Sequence, residues 1–162
     1  MIEIDTRIDR LRSTVEQLLS RVEQLPHDVL YREPQPGEWP VMSTLAHLSE
    51  LLPYWAQQAA SIAQTPGLAF GRALDDPDRL GAIEHHGRDT LGQSVVRVRT
   101  SLEQSLSTLR AIPPDAWSHA GEHPRRGRMT VADVVDAFLL EHAQEHAAQI
   151  EATLHALGAP QR

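Results

Sequence analysis

The sequence contains no cysteine among its 162 residues. This absence excludes a disulfide, a zinc site with thiolate ligands and a cysteine nucleophile. The N-terminal segment MIEIDTRIDRLRS carries charge from its third residue and lacks the apolar run of a signal peptide. Since a chain without disulfides also suits a reducing compartment, we expect a cytoplasmic protein.

Aromatic residues and long hydrophobic runs are also scarce. Aromatic side chains make up 4% of the chain and hydrophobic residues 41%, so the core must consist of leucine, valine, isoleucine and alanine. This composition favours helices over sheets. No apolar run approaches the roughly 18 residues of a membrane span. The net charge of −7 disfavours a nucleic-acid-binding surface.

Four segments carry apolar residues at alternating spacings of three and four, which predicts four amphipathic helices. They cover residues 4–25, 41–62, 91–109 and 131–157. Thr130 is the predicted N-cap of the fourth helix, and Gly158 is its C-terminal stop. Because no strand pattern accompanies these segments, residues 1–162 are predicted to form one all-α domain, a four-helix bundle.

The longest connection joins the second and third helices and reads TPGLAFGRALDDPDRLGAIEHHG. It is too long for a hairpin, and such a crossover allows these two helices to run parallel. Loops of this length are often functional, and partial disorder is the alternative. Within the second helix, Pro53 predicts a kink one turn past His47.

Three histidines form the most informative pattern. His142 and His146 are four residues apart, which places both imidazoles on one face of a helix. A third imidazole from another helix, for which His47 is the best candidate, would complete a three-ligand metal site with one open position. Buried imidazoles need partners, and these are either a metal ion or hydrogen bonds to protein groups. Both interpretations remain open from the spacing alone.

Other metal sites and ligands are disfavoured. A ferritin-like di-iron site needs two Glu-x-x-His pairs, and no glutamate in this chain has a histidine three residues later. The His-Glu-x-x-His motif of zinc peptidases is missing, because Ala143 follows His142. The remaining histidines are expected not to be ligands; they are His27, His85, His86, His119, His123 and His155.

Two segments resemble the second and fourth helices of DinB-like proteins. They are PQPGEWPVMSTLAHLSELLPYW and MTVADVVDAFLLEHAQEHAAQI, and the similarity extends over the whole chain in helix order and number. The resemblance implies an up-down-down-up bundle and a divalent metal bound by His47, His142 and His146. Zinc and nickel are the expected ions, with iron as a further option.

The sequence departs from the family pattern at three positions. Pro40 stands where the family often has serine, Pro53 interrupts the second helix, and Ala143 replaces a frequent aspartate. None of these changes removes a predicted ligand. A kink at Pro53 would reshape the pocket beside His47, and no hydrogen bond to a metal ligand can come from the side chain of Ala143.

The family resemblance also implies a type of reaction, because the wider superfamily includes thiol-dependent S-transferases and a mycothiol-dependent isomerase. A metal with an open position can bind a thiol and lower its pKa. Since this chain has no cysteine, the thiol would be a low-molecular-weight cofactor that reacts with a small electrophile. An acidic thiol would need cations nearby, and Arg125, Arg126 and Arg128 are the predicted binding residues; a solvated basic loop is the alternative.

A second hypothesis belongs to another class of function. The chain would be a non-enzymatic, stress-related helical module that dimerises or binds a ligand, with purely structural histidines. A homodimer is the expected assembly in either case.

Overall fold

The computed structural model describes residues 2–159, which are mostly helical. The described α-helices are α1 (Ile2–Glu23), α2 (His27–Leu30), α3 (Val41–Gln64), α4 (Pro77–His86), α5 (Leu91–Arg110), α6 (Val131–Val135) and α7 (Glu141–Ala156). A 3-10 helix (Pro114–Ser118) and two strands, β1 (Ala120–His123) and β2 (Gly127–Thr130), precede α6. A π-helical turn (Asp136–Leu140) joins α6 to α7, so that these three segments form the fourth helix of the bundle.

The relative directions of the four long helices follow from three helix pairs, each of which is joined by two contacts at different heights. Arg7–Asp136 and Arg21–Glu151 join α1 to the fourth helix. Arg12–Glu103 and Arg99–Glu16 join α1 to α5, and the ring contacts Trp55–Phe138 and His47–His146 join α3 to the fourth helix. They make α1 parallel to the fourth helix and antiparallel to α5, and they make α3 antiparallel to the fourth helix. The up-down-down-up bundle that the resemblance implied is therefore confirmed.

The predicted apolar seams of the four helices form one core. Its most deeply buried side chains include Leu11, Leu19, Leu45, Leu48, Leu102, Leu106, Leu109 and Leu139, each with an exposed fraction of zero. Burying one such side chain stabilises the fold by about 1.5–3 kcal/mol. Small residues bring α3 and α5 close together, and the Ser101 hydroxyl donates a 2.6 Å hydrogen bond to the Ser49 carbonyl. Within residues 2–159, no helix combines the length and hydropathy of a membrane span.

The predicted ends of the fourth helix are confirmed. The Thr130 side chain accepts a hydrogen bond from the Asp133 amide, and the Asp133 carboxylate accepts one from the Thr130 amide in return. Such a capping box satisfies two amides that would otherwise lack partners. At the other end, Gly158 adopts a φ of 67°, which favours glycine and ends the helix.

The connection between α3 and α5 contains structure that the sequence pattern did not predict. Residues 67–70 pair with β1, where the Phe70 amide donates to the Glu122 carbonyl and the Glu122 amide donates to the Leu68 carbonyl. A Cβ atom at Gly121 would lie 2.7 Å from that Leu68 oxygen, so this pairing requires a glycine. The Asp76 side chain then caps α4, which begins at a proline. The connection is thereby fixed against the bundle.

The π-helical turn lies directly before the HxxxH pair. The Glu141 amide donates to the Asp136 carbonyl, five residues earlier, where an α-helix would use the carbonyl four residues earlier. The turn places three consecutive side chains, Phe138, Leu139 and Leu140, in the core. Helix α3 continues through Pro53 to Gln64, and the degree of bending at this proline stays a prediction.

Candidate metal centre

The structure brings the three predicted ligands together. His47 lies in the second turn of α3, and His142 and His146 lie one turn apart at the start of α7. One ring nitrogen of each histidine lies within 4.8 Å of those of the other two. The ring centroid of His47 is 4.9 Å from that of His146 and 6.4 Å from that of His142. These distances allow a single cation to contact all three rings.

Burial keeps these imidazoles neutral. His47 is 2% exposed and His146 is 7% exposed, whereas His142 is half-buried. Burial, followed by the charges of His146 and Arg79, lowers the pKa of His47 to about 3. Burial also lowers the pKa of His142 and of His146. Because a neutral imidazole is the form that binds metals, all three rings are ready to bind near neutral pH.

The hydrogen bonds of the centre leave ring nitrogens without protein partners. His146 Nδ1 lies 3.0 Å from Gln149 Oε1, so this nitrogen carries the proton and Nε2 has a free lone pair. Within the described residues, four buried side-chain nitrogens lack a hydrogen-bond partner, and two of them are His47 Nδ1 and His146 Nε2. An unpartnered buried nitrogen costs free energy, and a metal ion would remove part of that cost. The donor set therefore fits a divalent cation.

Neighbouring side chains shape the centre. The Trp39 ring, just before α3, packs edge-on against His47 with centroids 5.3 Å apart. Gln149 accepts the hydrogen bond from His146, as histidine ligands usually require. Glu141 and Glu145, which precede the two histidines of the HxxxH pair, are both exposed.

The three predicted thiol-binding arginines lie on and beside the β1–β2 turn, and all three are exposed. Arg126 lies over the Phe138 ring, 4.8 Å from its centroid, and its charge contributes to lowering the pKa of His142. The structure does not test whether these side chains bind a cofactor, so this role stays a prediction.

Two further arginines, which no sequence pattern marks, lie within electrostatic range of the centre. The charge of Arg79 lowers the pKa of all three histidines, and that of Arg72 lowers the pKa of His47 and His142. Both belong to the long connection, which has no motif that marks them. Only the docking of α4 on the bundle brings them near.

The remaining histidines of the described chain are held by local hydrogen bonds or lie elsewhere on the surface. His119 Nδ1 contacts the Ala63 carbonyl, His85 Nδ1 contacts the Gly81 carbonyl, and His86 Nδ1 contacts Asp89. His123 is buried, and its Nδ1 accepts hydrogen bonds from the Arg125 and Arg126 amides. No group of three metal-ligating side chains other than the HxxxH pair with His47 occurs within residues 2–159.

The depressed pKa of His47 predicts how the metal-free protein responds to acid. Between about pH 6.5, the ordinary value, and about pH 3, the unfolded chain binds a proton here that the folded chain does not. The free energy of unfolding should therefore fall as the pH drops through this window, by at most about 1.4 kcal/mol per pH unit for this group. Urea unfolding at pH 7 and pH 5 measures the effect, and a His47→Leu variant should lose that part of the slope. Equal slopes in the two proteins would contradict the prediction.

A bundle with two histidines from one helix and one from another defines a class of candidate metalloproteins, and comparison with protein families identifies the family. The family model of the DinB superfamily matches residues 10–150. The match covers most of the chain, so this protein belongs to the DinB superfamily. A search of curated proteins finds no match to the sequence.

Solved structures share the fold at low sequence identity. YfiT from Bacillus subtilis, described as a probable metal-dependent hydrolase with an unusual four-helix bundle topology, superposes with a TM-score of 0.78 at 16% identity, over 97% of this chain and 89% of that chain. The mycothiol-dependent maleylpyruvate isomerase gives 0.70 at 13% identity, over 95% of this chain and 67% of that chain. The four-helix bundle protein TT2238 gives 0.67 at 14% identity, over 92% and 98%. These likenesses establish the bundle fold.

Proposed function

We propose that this protein binds a divalent metal ion through His47, His142 and His146 and catalyses the attack of a low-molecular-weight thiol on a small electrophile, so that the whole thiolate group becomes bonded to it. The observation that carries the proposal is the convergence of three neutral imidazoles whose candidate ligand atoms lie within 4.8 Å of one another. Membership of the DinB superfamily supports it. So does a fold shared with a protein described as metal-dependent and with a mycothiol-dependent isomerase.

Three imidazoles without a carboxylate or thiolate suit zinc or nickel, and ferrous iron is the further option. Such a ligand set leaves a coordination position for a substrate. Gln149 would act through His146, since its side-chain oxygen holds the ring in the tautomer whose Nε2 is free to bind. Trp39, packed against His47, would shield that ligand from water.

A divalent ion bound by these residues would act as a Lewis acid and lower the pKa of a coordinated thiol. In the transfer, a sulfur–carbon bond forms, the leaving group departs with its electron pair, and the thiol proton passes to the solvent. The sulfur must come from a small molecule, because the chain contains no cysteine.

Metal analysis and a thiol screen test the proposal together. Protein purified without a histidine tag should contain about one divalent ion per chain, as a single three-ligand site requires. The reaction of a low-molecular-weight thiol with an aryl halide or an epoxide should then be faster in the presence of this protein than in the presence of a His142→Ala variant. His85→Ala is the matched control, because the His85 ring bonds within α4. Rates no higher than those of the His142→Ala variant, across all thiols, would refute the transfer reaction.

Two outcomes would favour other functions. If the protein hydrolysed an ester without any thiol, the free coordination position of the metal would bind water, and the reaction would be hydrolysis. YfiT is described as a probable metal-dependent hydrolase. Protein that holds no metal, and whose ligand binding is unchanged by replacing His47, would favour the non-enzymatic helical module with structural histidines.

A further inference from the structure

We infer that the small molecule bound beside the metal centre carries a carboxylate group and that Arg79 is the residue that binds it. The inference rests on the proposed function, since it names the chemical class of the ligand at the same site. It places the anion-binding group on α4 and not on the β1–β2 turn.

Arg79 is a cation that the fold leaves without an acidic partner. Its guanidinium donates one hydrogen bond, 2.7 Å from Nη1 to the Leu74 carbonyl, and lies over the Trp39 ring at 5.4 Å from the centroid. Among the described residues, no carboxylate oxygen lies within 4 Å of it. The side chain is half-buried, so its position is held while part of its donor fork remains available.

Arg72, the other arginine of the long connection, is already neutralised. Both of its terminal nitrogens donate to the Glu50 carboxylate, Asp76 lies 3.6 Å away, and the guanidinium stacks on the Tyr54 ring. Its side chain is only 9% exposed. Arg72 therefore contributes structure, whereas Arg79 has charge and donors left for a ligand.

Arg79 shares a cavity with one of the proposed metal ligands. The cavity has a volume of about 570 Å³, and its lining includes Trp39, Arg79, His146, Gln149 and Thr153. This size lies in the usual range for small-molecule sites, roughly 300–1,000 Å³. A ligand that fills it would contact the guanidinium and lie beside His146 and its hydrogen-bond partner Gln149.

The charges around the cavity select the kind of anion. A guanidinium fork matches the two oxygens of a carboxylate and also binds phosphate. Glu38 lines the same cavity, and one unpaired arginine opposite a glutamate suits a group with a single negative charge. A carboxylate is therefore favoured over a phosphate dianion. The charge of Arg79 also reaches all three histidines, which places it within electrostatic range of the whole centre.

The position of Arg79 follows from the folding of the long connection. The Asp76 carboxylate caps α4 by accepting hydrogen bonds from the Asp78 and Arg79 amides, which fixes the first turn of the helix. Arg79 lies in that turn, and α4 packs on α3. The guanidinium is thus held by an ordered helix.

Two thiols that differ in a carboxylate test the inference. Mercaptopropionate and mercaptoethanol are titrated calorimetrically into the zinc-loaded protein. The carboxylate thiol should bind about 10- to 100-fold more tightly, as expected for a charge-assisted hydrogen bond. In an Arg79→Gln variant with unchanged zinc content, this preference should fall to about one. Arg12→Gln is the matched control, because Arg12 lies on α1 and pairs with Glu103 on α5. Arg126→Gln tests the arginine that the family resemblance implied, and both variants should retain the preference.

A second measurement does not depend on the metal. Propionate titrated into isotope-labelled, metal-free protein should shift the NMR signals of the Trp39 indole and the Gln149 side-chain amide. Those shifts should be absent in the Arg79→Gln variant. An Arg79→Lys variant should retain part of them, because it keeps the charge without the fork.

The outcomes separate the inference from the proposed function. Equal affinities of the two thiols for the zinc-loaded protein, or a preference lost in Arg126→Gln and kept in Arg79→Gln, would overturn the role of Arg79 and leave the metal site intact. Absence of bound metal from the unaltered protein would instead overturn the proposed function. In that case the propionate titration alone decides whether Arg79 binds the carboxylate.

Discussion

Replacing His47 with leucine is expected to abolish metal binding and, at the same time, to stabilise the metal-free protein. The imidazole is 2% exposed, and its Nδ1 has no hydrogen-bond partner among the described residues. Leucine fills a similar volume without a polar atom, so the free energy of unfolding without metal should rise by about 1–3 kcal/mol. Stability that is sacrificed in this way is typical of functional sites.

Urea unfolding with and without zinc measures both effects. Zinc at about 100 times its dissociation constant should stabilise the unaltered protein by about 2.7 kcal/mol and leave the His47→Leu variant unchanged. His123→Leu is the control, because that buried ring accepts two backbone hydrogen bonds and its loss should destabilise the protein in both conditions. A metal-free His47→Leu protein that is less stable than the unaltered protein would mean that His47 is structural.

Replacing Trp55 with alanine is expected to be among the most destabilising single changes in the core. The Trp55 ring stacks on Phe138 with centroids 3.9 Å apart and a 7° angle between the planes, and it is 6% exposed. This pair joins α3 to the π-helical turn and also contacts His123. The lost burial and the resulting cavity should lower the free energy of unfolding by about 3–5 kcal/mol.

Circular dichroism during urea unfolding of the metal-free protein measures this change. Val96→Ala is a suitable control, because Val96 lies on α5 with 65% of its surface exposed. Its replacement should change the free energy of unfolding by no more than about 0.5 kcal/mol. A loss of less than about 1 kcal/mol for Trp55→Ala would contradict the role of the stacked pair in the core.

The four long helices and the histidine group could be predicted because their signals are local. Seams of apolar residues recur at helical spacing, and Thr130 and Gly158 mark ends that depend on neighbours in the sequence. The HxxxH spacing places two rings on one face of any helix. The direction and position of α3 could not be predicted from local signals, because they depend on the packing of the whole bundle. They bring His47 close enough to His142 and His146 to share a metal ion.

The hairpin and the arginines around the centre could not be predicted in the same way. The strands AGEH and GRMT lack alternating β-branched residues, and they are held by pairing with each other and with residues 67–70, far away in the sequence. Arg79 and Arg72 resemble any charged residues of a polar connection. Their place beside the centre results from tertiary packing. By contrast, Asp76 followed by a proline was a recognisable helix start, and α4 could have been found from it.

The π-helical turn makes the geometry of the centre depend on the length of the chain as well as on its side chains. The turn uses five residues for the rotation that about four residues of an α-helix, at about 100° each, would supply. Loss of one residue between Asp136 and Leu140 would therefore let this segment close as a regular α-helix and leave His142 and His146 facing His47. Insertion of one further residue would instead rotate both rings away from His47 together, although all three histidines would remain in the sequence.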